Sequence, residues 1–415
     1  MKEKLLGMTL EELQKAAVSV GLKPFVGRQL ADWMYGKRVV SWDAMTNIAK
    51  ASKTALSERF DLGFLPPLGS VESSDGTRKY LFPAAAGSAW AIEGPFPLFS
   101  GPAMAAGSPA AARASAPEAG RQLPSEGKNE GGMPSFGHNL PASGMIYGAA
   151  ADADSAADSP DNAVEAVMIP EGERRTLCVS SQAGCKMGCK FCMTGRQGFH
   201  GNLDAAAILS QFVGVDESTE LTNAVFMGMG EPLDNYDAVM RVIEVLTSDW
   251  GFGWSPKRIT LSTIGVLPAL KRYLDGSRCH LAVSLHNPFP EERYHMMPVQ
   301  KAYDIREVVE LLRKYDFSGQ RRVSFEYTMF GGWNDDTRHA DALVRLLGRI
   351  ECRVNLIRFH KIPDFPYDCA SDAAMETFKD RLNNNGIVCT IRTSRGEDIL
   401  AACGMLAGKH SSSRR

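Results

Sequence analysis

The chain has 415 residues, 44% of them hydrophobic and 23% charged, so it can bury a large core and by length can form two or three domains. No stretch of about eighteen apolar residues predicts a membrane span, and the charged N-terminus lacks a signal-peptide core, so we expect a cytoplasmic protein. The formal net charge of -2 argues against nucleic-acid binding through bulk charge alone. Nine cysteines, an odd number in a reducing compartment, favour thiols or metal ligands over disulfides.

The N-terminal part of the chain predicts three helices. Thr9 followed by Glu12 is a capping-box pattern that starts the first of them. The predicted helices cover about 10–21, 27–38 and 41–60. Residues 1–60 hold ten Lys or Arg against six Asp or Glu. Trp33 and Tyr35 lie beside basic residues, a pattern that favours helix packing, with an RNA-facing surface as the alternative.

Composition changes abruptly after a short β-rich connection. Ala, Gly, Pro and Ser dominate the next segment, which has no periodicity and cannot bury enough surface to offset its ordering entropy. The predicted organisation is a helical accessory domain over 1–70, a short β connection over 71–94, a flexible low-complexity insertion over 95–160, a main domain over 161–410 and a disordered tail over 411–415.

Six β-rich runs then alternate with helical stretches. The runs are RTLCVSS, NAVFMGMGE, RITLSTIG, HLAVSLH, VSFEYTMF and VNLIRFH. Repeated strand–helix units predict an α/β fold with parallel strands, either a βα barrel or an open sheet. In such folds the reacting groups collect at the C-terminal ends of the strands.

Three cysteines follow the first of these strands with the spacing C-x3-C-x2-C: Cys185, Cys189 and Cys192. Structural zinc commonly needs four protein ligands, and no second cysteine pair lies nearby, although His200 stays open as a fourth ligand. A cubane iron–sulfur cluster held by three thiolates leaves one iron free for a substrate or cofactor. The spacing, the position after a strand and the flanking glycines favour the cluster.

This motif, placed after the first strand of a βα repeat, resembles the radical S-adenosylmethionine (SAM) superfamily, and Phe191 fits the aromatic residue common before the last ligand. The resemblance implies a partial (βα)6 barrel and a 4Fe–4S cluster on the three cysteines. Its open iron would chelate SAM, and its electron would split SAM into methionine and a 5′-deoxyadenosyl radical. The element GMGEP would approach the SAM amino group, and Glu231 can accept from an ammonium. A simple turn before a helix is the alternative for GMGEP.

Polar residues stand near the ends of the later strands, among them Ser262, Ser284, His286 and Asn355. Such residues are costly in apolar strands when they are buried without a partner. Their recurrence at one end of the predicted sheet favours a ligand over separate structural roles.

Longer segments resemble the bacterial dual-specificity RNA methyltransferases that methylate carbon 2 of adenine in 23S ribosomal RNA and in certain transfer RNAs. These segments are LCVSSQAGCKMGCKFCMTGRQGF, GMGEPLDNYDAV, TLSTIGVLPAL, LAVSLH, VNLIRFH and RTSRGEDILAACG. The resemblance implies that the N-terminal helices bind RNA and that residues along the strand ends contact SAM. The implied SAM contacts are Gly230, Glu231, Ser262, Ser284, Leu285, His286 and Asn355.

The same resemblance gives catalytic roles to Cys178 and Cys403, which would otherwise be interpreted as small buried hydrophobes. Carbon 2 of adenine is electron-poor and cannot attack the SAM methyl directly. The family route uses two SAM per turnover and implies an S-methylcysteine on Cys403 and then a protein–RNA thioether. Cys178 would attack the sulfur of Cys403, free the methyladenine and leave a disulfide. Glu165 resembles the carboxylate that takes the carbon-2 proton, with a surface charge on a strand edge as the alternative.

Partners also follow from the resemblance: 23S rRNA and tRNA as substrates and an electron donor such as flavodoxin, for a monomer without membrane association. The target adenine has to leave its stack, and basic side chains would help to offset that cost. The candidate phosphate contacts, each of which alone can be a solvated charge, are Lys186, Lys190, Arg196 and Arg395.

The chain departs from the family pattern at the insertion, at Ile264, where serine is common, and at Met405, where glutamine is common. Two alternatives stay open. One is the related enzyme that methylates carbon 8 of adenine and confers antibiotic resistance. The other is a non-enzymatic iron–sulfur or zinc protein that binds RNA. The RTSRGEDI segment and the long basic N-terminus favour the carbon-2 enzyme.

Overall fold

The computed structural model describes residues 2–84, 163–319 and 321–407. Its helices are α1 (Leu10–Ser19), α2 (Phe25–Ala31), α3 (Lys50–Arg59), α4 (Met193–Gln197), α5 (Ala205–Val213), α6 (Tyr236–Thr247), α7 (Leu267–Gly276), α8 (Pro290–Met296), α9 (Ile305–Leu312), α10 (Thr337–Leu347) and α11 (Asp372–Asn384). Its strands are β1 (Glu3–Lys4), β2 (Phe60–Asp61), β3 (Gly69–Glu72), β4 (Arg78–Pro83), β5 (Ala163–Glu171), β6 (Arg174–Cys178), β7 (Gln182–Gly184), β8 (Phe199–Asn202), β9 (Asn223–Phe226), β10 (Ile259–Thr263), β11 (His280–Ser284), β12 (Val323–Met329), β13 (Cys352–Arg358) and β14 (Val388–Ile391). The predicted insertion over 95–160 and tail over 411–415 lie outside the described residues. In the part of the chain that is described, no helix is long and apolar enough to cross a membrane.

The N-terminal part contains three helices, as predicted, but the third covers only Lys50–Arg59 and not the predicted 41–60. Thr9 Oγ1 accepts from the Glu12 N–H at 3.2 Å, and the Glu12 carboxylate accepts from the Thr9 N–H at 2.7 Å, which is the predicted capping box. The second predicted helix is divided, because α2 passes into a π-helical turn over Asp32–Gly36. Tyr35 is fully buried and its hydroxyl donates to the Met8 carbonyl at 2.7 Å, so this aromatic residue serves packing.

One ten-stranded sheet organises the rest of the fold, in the order β14-β13-β12-β11-β10-β9-β6-β5-β4-β3. Within this sheet the seven strands β6, β9, β10, β11, β12, β13 and β14 are mutually parallel, and β5, β4 and β3 extend it with antiparallel pairs. All six predicted strands are confirmed, and among the described residues the sheet is open, with β14 and β3 as its outer strands. The sequence pattern does not predict β14, because its four residues offer one buried side chain, Cys389.

Helices between the parallel strands bury their apolar stripe against this sheet. In α9, Ile305, Val308, Val309 and Leu312 are all fully buried, at the spacing of one helix face. Each such side chain contributes about 1.5–3 kcal/mol through burial. The sheet is therefore held rigidly enough to position residues at its edges.

The gap between β4 and β5 lies at the end of the sheet where the parallel strands finish. Val167 of β5 pairs with Cys178 at the end of β6, so Ala163 lies beyond the C-terminal end of β6. Pro83, the last residue of β4, pairs with Ala163. The chain thus leaves β4 and returns to β5 at the edge where the parallel strands end.

Candidate active site

The C-terminal edge of the parallel strands brings predicted site residues together. Ser284, Glu326 and Asn355 are in register on β11, β12 and β13, and residues in register point to the same face. The Asn355 amide donates to the Glu326 carboxylate at 2.8 Å, and the Thr390 hydroxyl donates to Asn355 Oδ1 at 3.0 Å. Ser262 lies on the neighbouring strand β10. One face of these neighbouring strands therefore carries a row of polar side chains.

The three predicted metal ligands lie on one loop. Cys185 comes directly after β7, and Cys192 is the N-cap residue of α4. Gly184 has φ 71°, and a Cβ there would lie 1.9 Å from the Gly198 carbonyl oxygen, so only glycine fits. That carbonyl accepts from the Cys185 N–H at 2.7 Å, and the Cys189 carbonyl accepts from the Cys192 N–H at 3.2 Å. Backbone hydrogen bonds thus fix the loop before any metal is considered.

The donor set fits a cluster with several irons. Burial and the charges of neighbouring thiols raise the pKa of Cys185, and chiefly burial raises the pKa of Cys189 to about 12. A bound cationic metal centre would deprotonate such thiols. Among the described residues, no group of three or more His, Cys, Asp or Glu side chains is placed to hold a single metal ion. Three soft sulfur donors on one loop are the donor set of a cubane cluster with one open iron.

Gly230 and Glu231 follow β9, and the Glu231 carboxylate reaches the residue that follows β10. Gly230 has φ 98°, and a Cβ there would lie 2.5 Å from the Cβ of Gln182. Glu231 is 3% exposed, and its carboxylate accepts from the Leu233 N–H at 3.1 Å and the Ile264 N–H at 2.9 Å. Burial raises the pKa of Glu231 to about 7. An ammonium ligand beside it would favour the charged form.

A fully buried arginine, Arg293, holds the backbone at the C-terminal ends of β10 and β11. Its Nε donates to the Leu285 carbonyl at 3.0 Å, and Nη2 donates to the Ser284 carbonyl at 3.0 Å. It also donates to the Ile264 carbonyl at 3.3 Å and to Gln300 Oε1 at 2.7 Å. One guanidinium therefore fixes the backbone after β10 and after β11.

His286 connects this backbone to the cysteine loop. The residue is buried with φ 56°, and its Nδ1 accepts from the Thr328 N–H at 2.9 Å. Burial, and to a lesser degree Arg293, lowers the pKa of His286 to about 3, so the imidazole is neutral. Its ring lies edge-on to Phe191 with centroids 5.0 Å apart.

Cys178 and Cys403 share one electrostatic environment. Cys178 is buried at the end of β6, where burial and the charge of Cys403 raise its pKa to about 12. Cys403 is exposed as a residue, yet protein atoms around its sulfur desolvate it and raise its pKa, and Arg392 opposes that rise. Against the effect of burial, the charges of Glu326, Cys403 and Cys178 raise the pKa of Arg392, whose Nη1 lies 3.4 Å from the buried carboxylate of Glu326.

Glu165 lies inside β5 and is 3% exposed, so it is not a surface charge on a strand edge. Its Oε1 is 3.0 Å from Lys79 Nζ, and its Oε2 accepts from the Ala407 N–H at 2.9 Å. Lys79, on β4, is itself 9% exposed. This buried pair joins β4, β5 and the C-terminal loop that carries Cys403.

The four candidate phosphate contacts differ in their surroundings. Lys186 forms an ion pair with Asp234 at 3.1 Å, and Arg196 donates to a loop carbonyl. Lys186, Lys190 and Arg196 are exposed, and Arg395 is half-buried. Exposure therefore does not separate Lys190 from Lys186 and Arg196 as a phosphate contact.

Comparisons with known proteins agree with this geometry. The Radical SAM superfamily model matches residues 179–343, and the ribosomal RNA large subunit methyltransferase N-terminal domain model matches residues 3–62. The probable dual-specificity RNA methyltransferase RlmN of Porphyromonas gingivalis strain W83 is 49% identical over 403 residues, which cover 97% of this chain and 96% of that protein. The protein of the same name from Parabacteroides distasonis is 47% identical, covering 98% and 97%. The crystal structure of a radical SAM methyltransferase from Sphaerobacter thermophilus is 31% identical with a TM-score of 0.76, covering 98% of this chain and all of that one.

The fold and the cysteine loop thus define a radical SAM enzyme, whose cofactors are a 4Fe–4S cluster and SAM. Within that class, the chain belongs to the RlmN family of radical SAM RNA methyltransferases. The predicted fold class, enzyme class and cofactors are confirmed. The alternative of a non-enzymatic metal protein is wrong.

Sequence reasoning does not single out Glu326, Arg392, Arg293 or Lys79. Glu326 carries a usable signal, because a carboxylate inside the apolar run VSFEYTMF has to find partners when it is buried. Arg392 and Arg293 stand among other charged residues in the sequence. Only the tertiary contacts separate them from surface charges.

Proposed function

We propose that this chain methylates carbon 2 of adenine in 23S ribosomal RNA and in transfer RNA, with Cys403 as the methyl carrier and Cys178 as the resolving thiol. The observation that supports this most directly is geometric: the Gly404 carbonyl, next to Cys403, accepts at 2.8 Å from the N–H of Met193, which is next to the proposed cluster ligand Cys192. The names of the relatives, probable dual-specificity RNA methyltransferases, support the RNA substrates.

Cys403 solves a problem of reactivity. Because carbon 2 lies between two ring nitrogens, it cannot attack the methyl group of SAM. The Cys403 thiolate attacks that methyl instead, forms an S–CH3 bond and releases S-adenosylhomocysteine. When bound, the cluster and a second SAM supply the radical that removes one hydrogen atom from the S-methyl group.

The carbon on Cys403 then bonds to carbon 2 of adenine and joins protein and RNA through a thioether. The radical adduct then loses one electron, which the oxidised cluster would accept when bound, and loses its carbon-2 proton to a carboxylate base. The sulfur of Cys178 then attacks the sulfur of Cys403. The bond between sulfur and methylene breaks, its electron pair stays with the carbon, and a proton completes the methyl group. A thiol reductant returns the new disulfide to two thiols. Because burial raises the pKa of Cys178 to about 12, this thiol has to lose its proton as it attacks.

We assign removal of the carbon-2 proton to Glu165. Its strand pairs with that of Cys178, and its carboxylate contacts the C-terminal loop through Ala407. Each carboxylate oxygen has one protein partner and keeps a second lone pair for a proton.

The proposed SAM contacts lie on or directly after the parallel strands β9, β10, β11 and β13. They are Gly230, Glu231, Ser262, Ser284, Leu285, His286 and Asn355. Among them, Glu231 supplies a buried carboxylate for the SAM ammonium. The Ser284 and Leu285 backbone is held in place by Arg293.

The N-terminal helices are proposed to bind the RNA. Lys37 Nζ lies 3.9 Å from the centroid of the Trp33 ring, which is a cation–aromatic pair of the kind that grips phosphate and base. An electron donor such as flavodoxin, a monomeric state without membrane association and a cytoplasmic location complete the proposal.

The test is anaerobic reaction of the reconstituted enzyme with 23S rRNA fragments and tRNA, followed by mass spectrometry of nucleosides. We expect 2-methyladenosine from the wild type, no methylated product or adduct from Cys403→Ala, and a trapped protein–RNA adduct from Cys178→Ala. Cys352→Ala serves as the matched control and should retain activity, because Cys352 is the first residue of β13, at the end of the strand away from the proposed site. Free product at the normal rate from either test variant refutes the thiol roles, and 8-methyladenosine refutes the regiochemistry.

A further inference from the structure

The loop of the methyl-carrying cysteine is fastened to the turn between β3 and β4. The Ser73 hydroxyl donates to one carboxylate oxygen of Asp398 at 2.5 Å, and the Ser74 N–H donates to the other at 3.1 Å. In return, the Gly396 N–H donates to the Asp75 carboxylate at 3.1 Å. We call these five residues the hairpin clasp.

The clasp is closely packed as well as hydrogen-bonded. Gly396 has φ 61°, and a Cβ there would lie 2.8 Å from the Ala401 Cβ and 2.9 Å from Thr77 Cγ2. Against the effect of burial, hydrogen bonds from Thr77 and Gly396 lower the pKa of Asp75 to about 2, so this carboxylate is charged at neutral pH. The turn at Gly396 therefore packs closely between Thr77 of the β3–β4 hairpin and Ala401, just before Cys403.

A second fastening lies on the other side of the same turn. His360, two residues after β13, has its Nε2 3.0 Å from the Ser394 hydroxyl and its Nδ1 3.3 Å from the Glu397 carboxylate. A neutral imidazole satisfies both contacts, since one ring nitrogen donates to the carboxylate and the other accepts from the hydroxyl. The strand that carries Asn355 thus also holds the base of the C-terminal loop.

Beyond Cys403 the chain is fastened again. The Gly404 carbonyl accepts from the Met193 N–H at 2.8 Å, and the Leu406 carbonyl accepts from the Thr194 hydroxyl at 2.7 Å. Between the two fastenings, Leu400 is 49% exposed with φ 54°. Ala401 and Ala402 are buried, whereas Cys403 is exposed. The carrier cysteine therefore sits on a short span between fixed ends.

We propose that the hairpin clasp and His360 are positioning elements that set where the sulfur of Cys403 lies relative to SAM, adenine and Cys178. The inference rests on the proposed role of Cys403 as methyl carrier. One sulfur has to meet three reacting centres in turn, and a misplacement of about 1 Å costs on the order of 100-fold in rate. None of the five clasp residues is among the proposed SAM or phosphate contacts, so we expect the clasp to act through the loop.

The test compares Asp398→Ala, Asp398→Asn and Ser73→Ala with the wild-type holoenzyme. Asp275→Ala is the matched control, because this exposed carboxylate also has two side-chain partners, Lys271 and Tyr315, at the end of α7. One readout is the rate at which iodoacetamide alkylates Cys403 in the absence of SAM, measured by peptide mass spectrometry. The other is the amount of 5′-deoxyadenosine released per 2-methyladenosine formed.

We expect alkylation of Cys403 to accelerate about two- to tenfold in Asp398→Ala and Ser73→Ala, the change that loss of one surface hydrogen bond gives in a local equilibrium. The deoxyadenosine-to-product ratio should rise as well, because SAM cleavage continues while transfer fails, and Asp398→Asn should fall between. General misfolding would lower both products together and leave their ratio unchanged.

Two outcomes separate this inference from the proposed function. If the wild type forms no methyladenosine, the proposed function fails, yet the alkylation rates still decide whether the clasp positions Cys403. If Asp398→Ala and Ser73→Ala match the control in both readouts while the wild type is active, the clasp does not position Cys403.

Discussion

Replacing Lys79 by methionine would strand the Glu165 carboxylate inside the protein. The charged atoms are 3.0 Å apart, and the two side chains are 10% and 4% exposed. At an effective dielectric constant of about 20, their attraction is about 5.5 kcal/mol, and removing one partner of a buried pair typically costs about 3–5 kcal/mol. We expect Lys79→Met to lower the free energy of unfolding by about 3–5 kcal/mol, measured by urea unfolding with circular dichroism in anaerobic buffer.

The double variant Lys79→Met with Glu165→Gln is the decisive comparison. Its amide carries no charge and can still accept from the Ala407 N–H, so stability should return to within about 1–2 kcal/mol of the wild type. Lys271→Met removes an exposed pair with Asp275 and should change stability by at most about 1 kcal/mol. Equal losses in the single and double variants would mean that water reaches Glu165 and that no charge is stranded.

Three further perturbations test other parts of the structure. Gly184→Ala should lower the iron and sulfide content per chain, because the left-handed backbone alone costs about 1–2 kcal/mol and the added Cβ meets a carbonyl; metal analysis against Gly276→Ala checks this. Glu12→Ala should destabilise the N-terminal helices by about 1–2 kcal/mol through loss of the capping box. Since the folded pKa of Glu12 is lowered, its contribution is present above pH 4.5 and fades as pH falls, which urea unfolding at two pH values would show. Replacing 84–162 by Asn-Gly should preserve folding and methylation, because the flanking strands already pair as a hairpin; loss of either would show that the segment is needed.

The parts that follow local rules could be predicted from the sequence. The Thr9 capping box, the six alternating strands and the cysteine loop after the first strand depend on neighbours within a few residues, which the sequence displays directly. The site is different. Arg293 acts through carbonyls of two separate loops, and Lys79 meets Glu165 across the β4–β5 pair, so neither can be told from a surface charge without the fold. The strand β14 escaped because one buried side chain in four residues leaves no pattern to detect.

In the proposed mechanism, the parallel and the antiparallel parts of the ten-stranded sheet have different tasks. The parallel strands end in fixed backbone and side chains, which suits a cofactor that has to bind in one geometry. The antiparallel strands instead deliver Glu165 and, through the β3–β4 turn, hold the loop of Cys403. Cys178 stands on β6, where the two regions meet, paired with β9 on one side and with β5 on the other. In the proposed mechanism the resolving thiol, Cys178, is therefore the buried one, held in a strand between the two parts of the sheet, and the methyl carrier, Cys403, is the exposed one on a tethered loop.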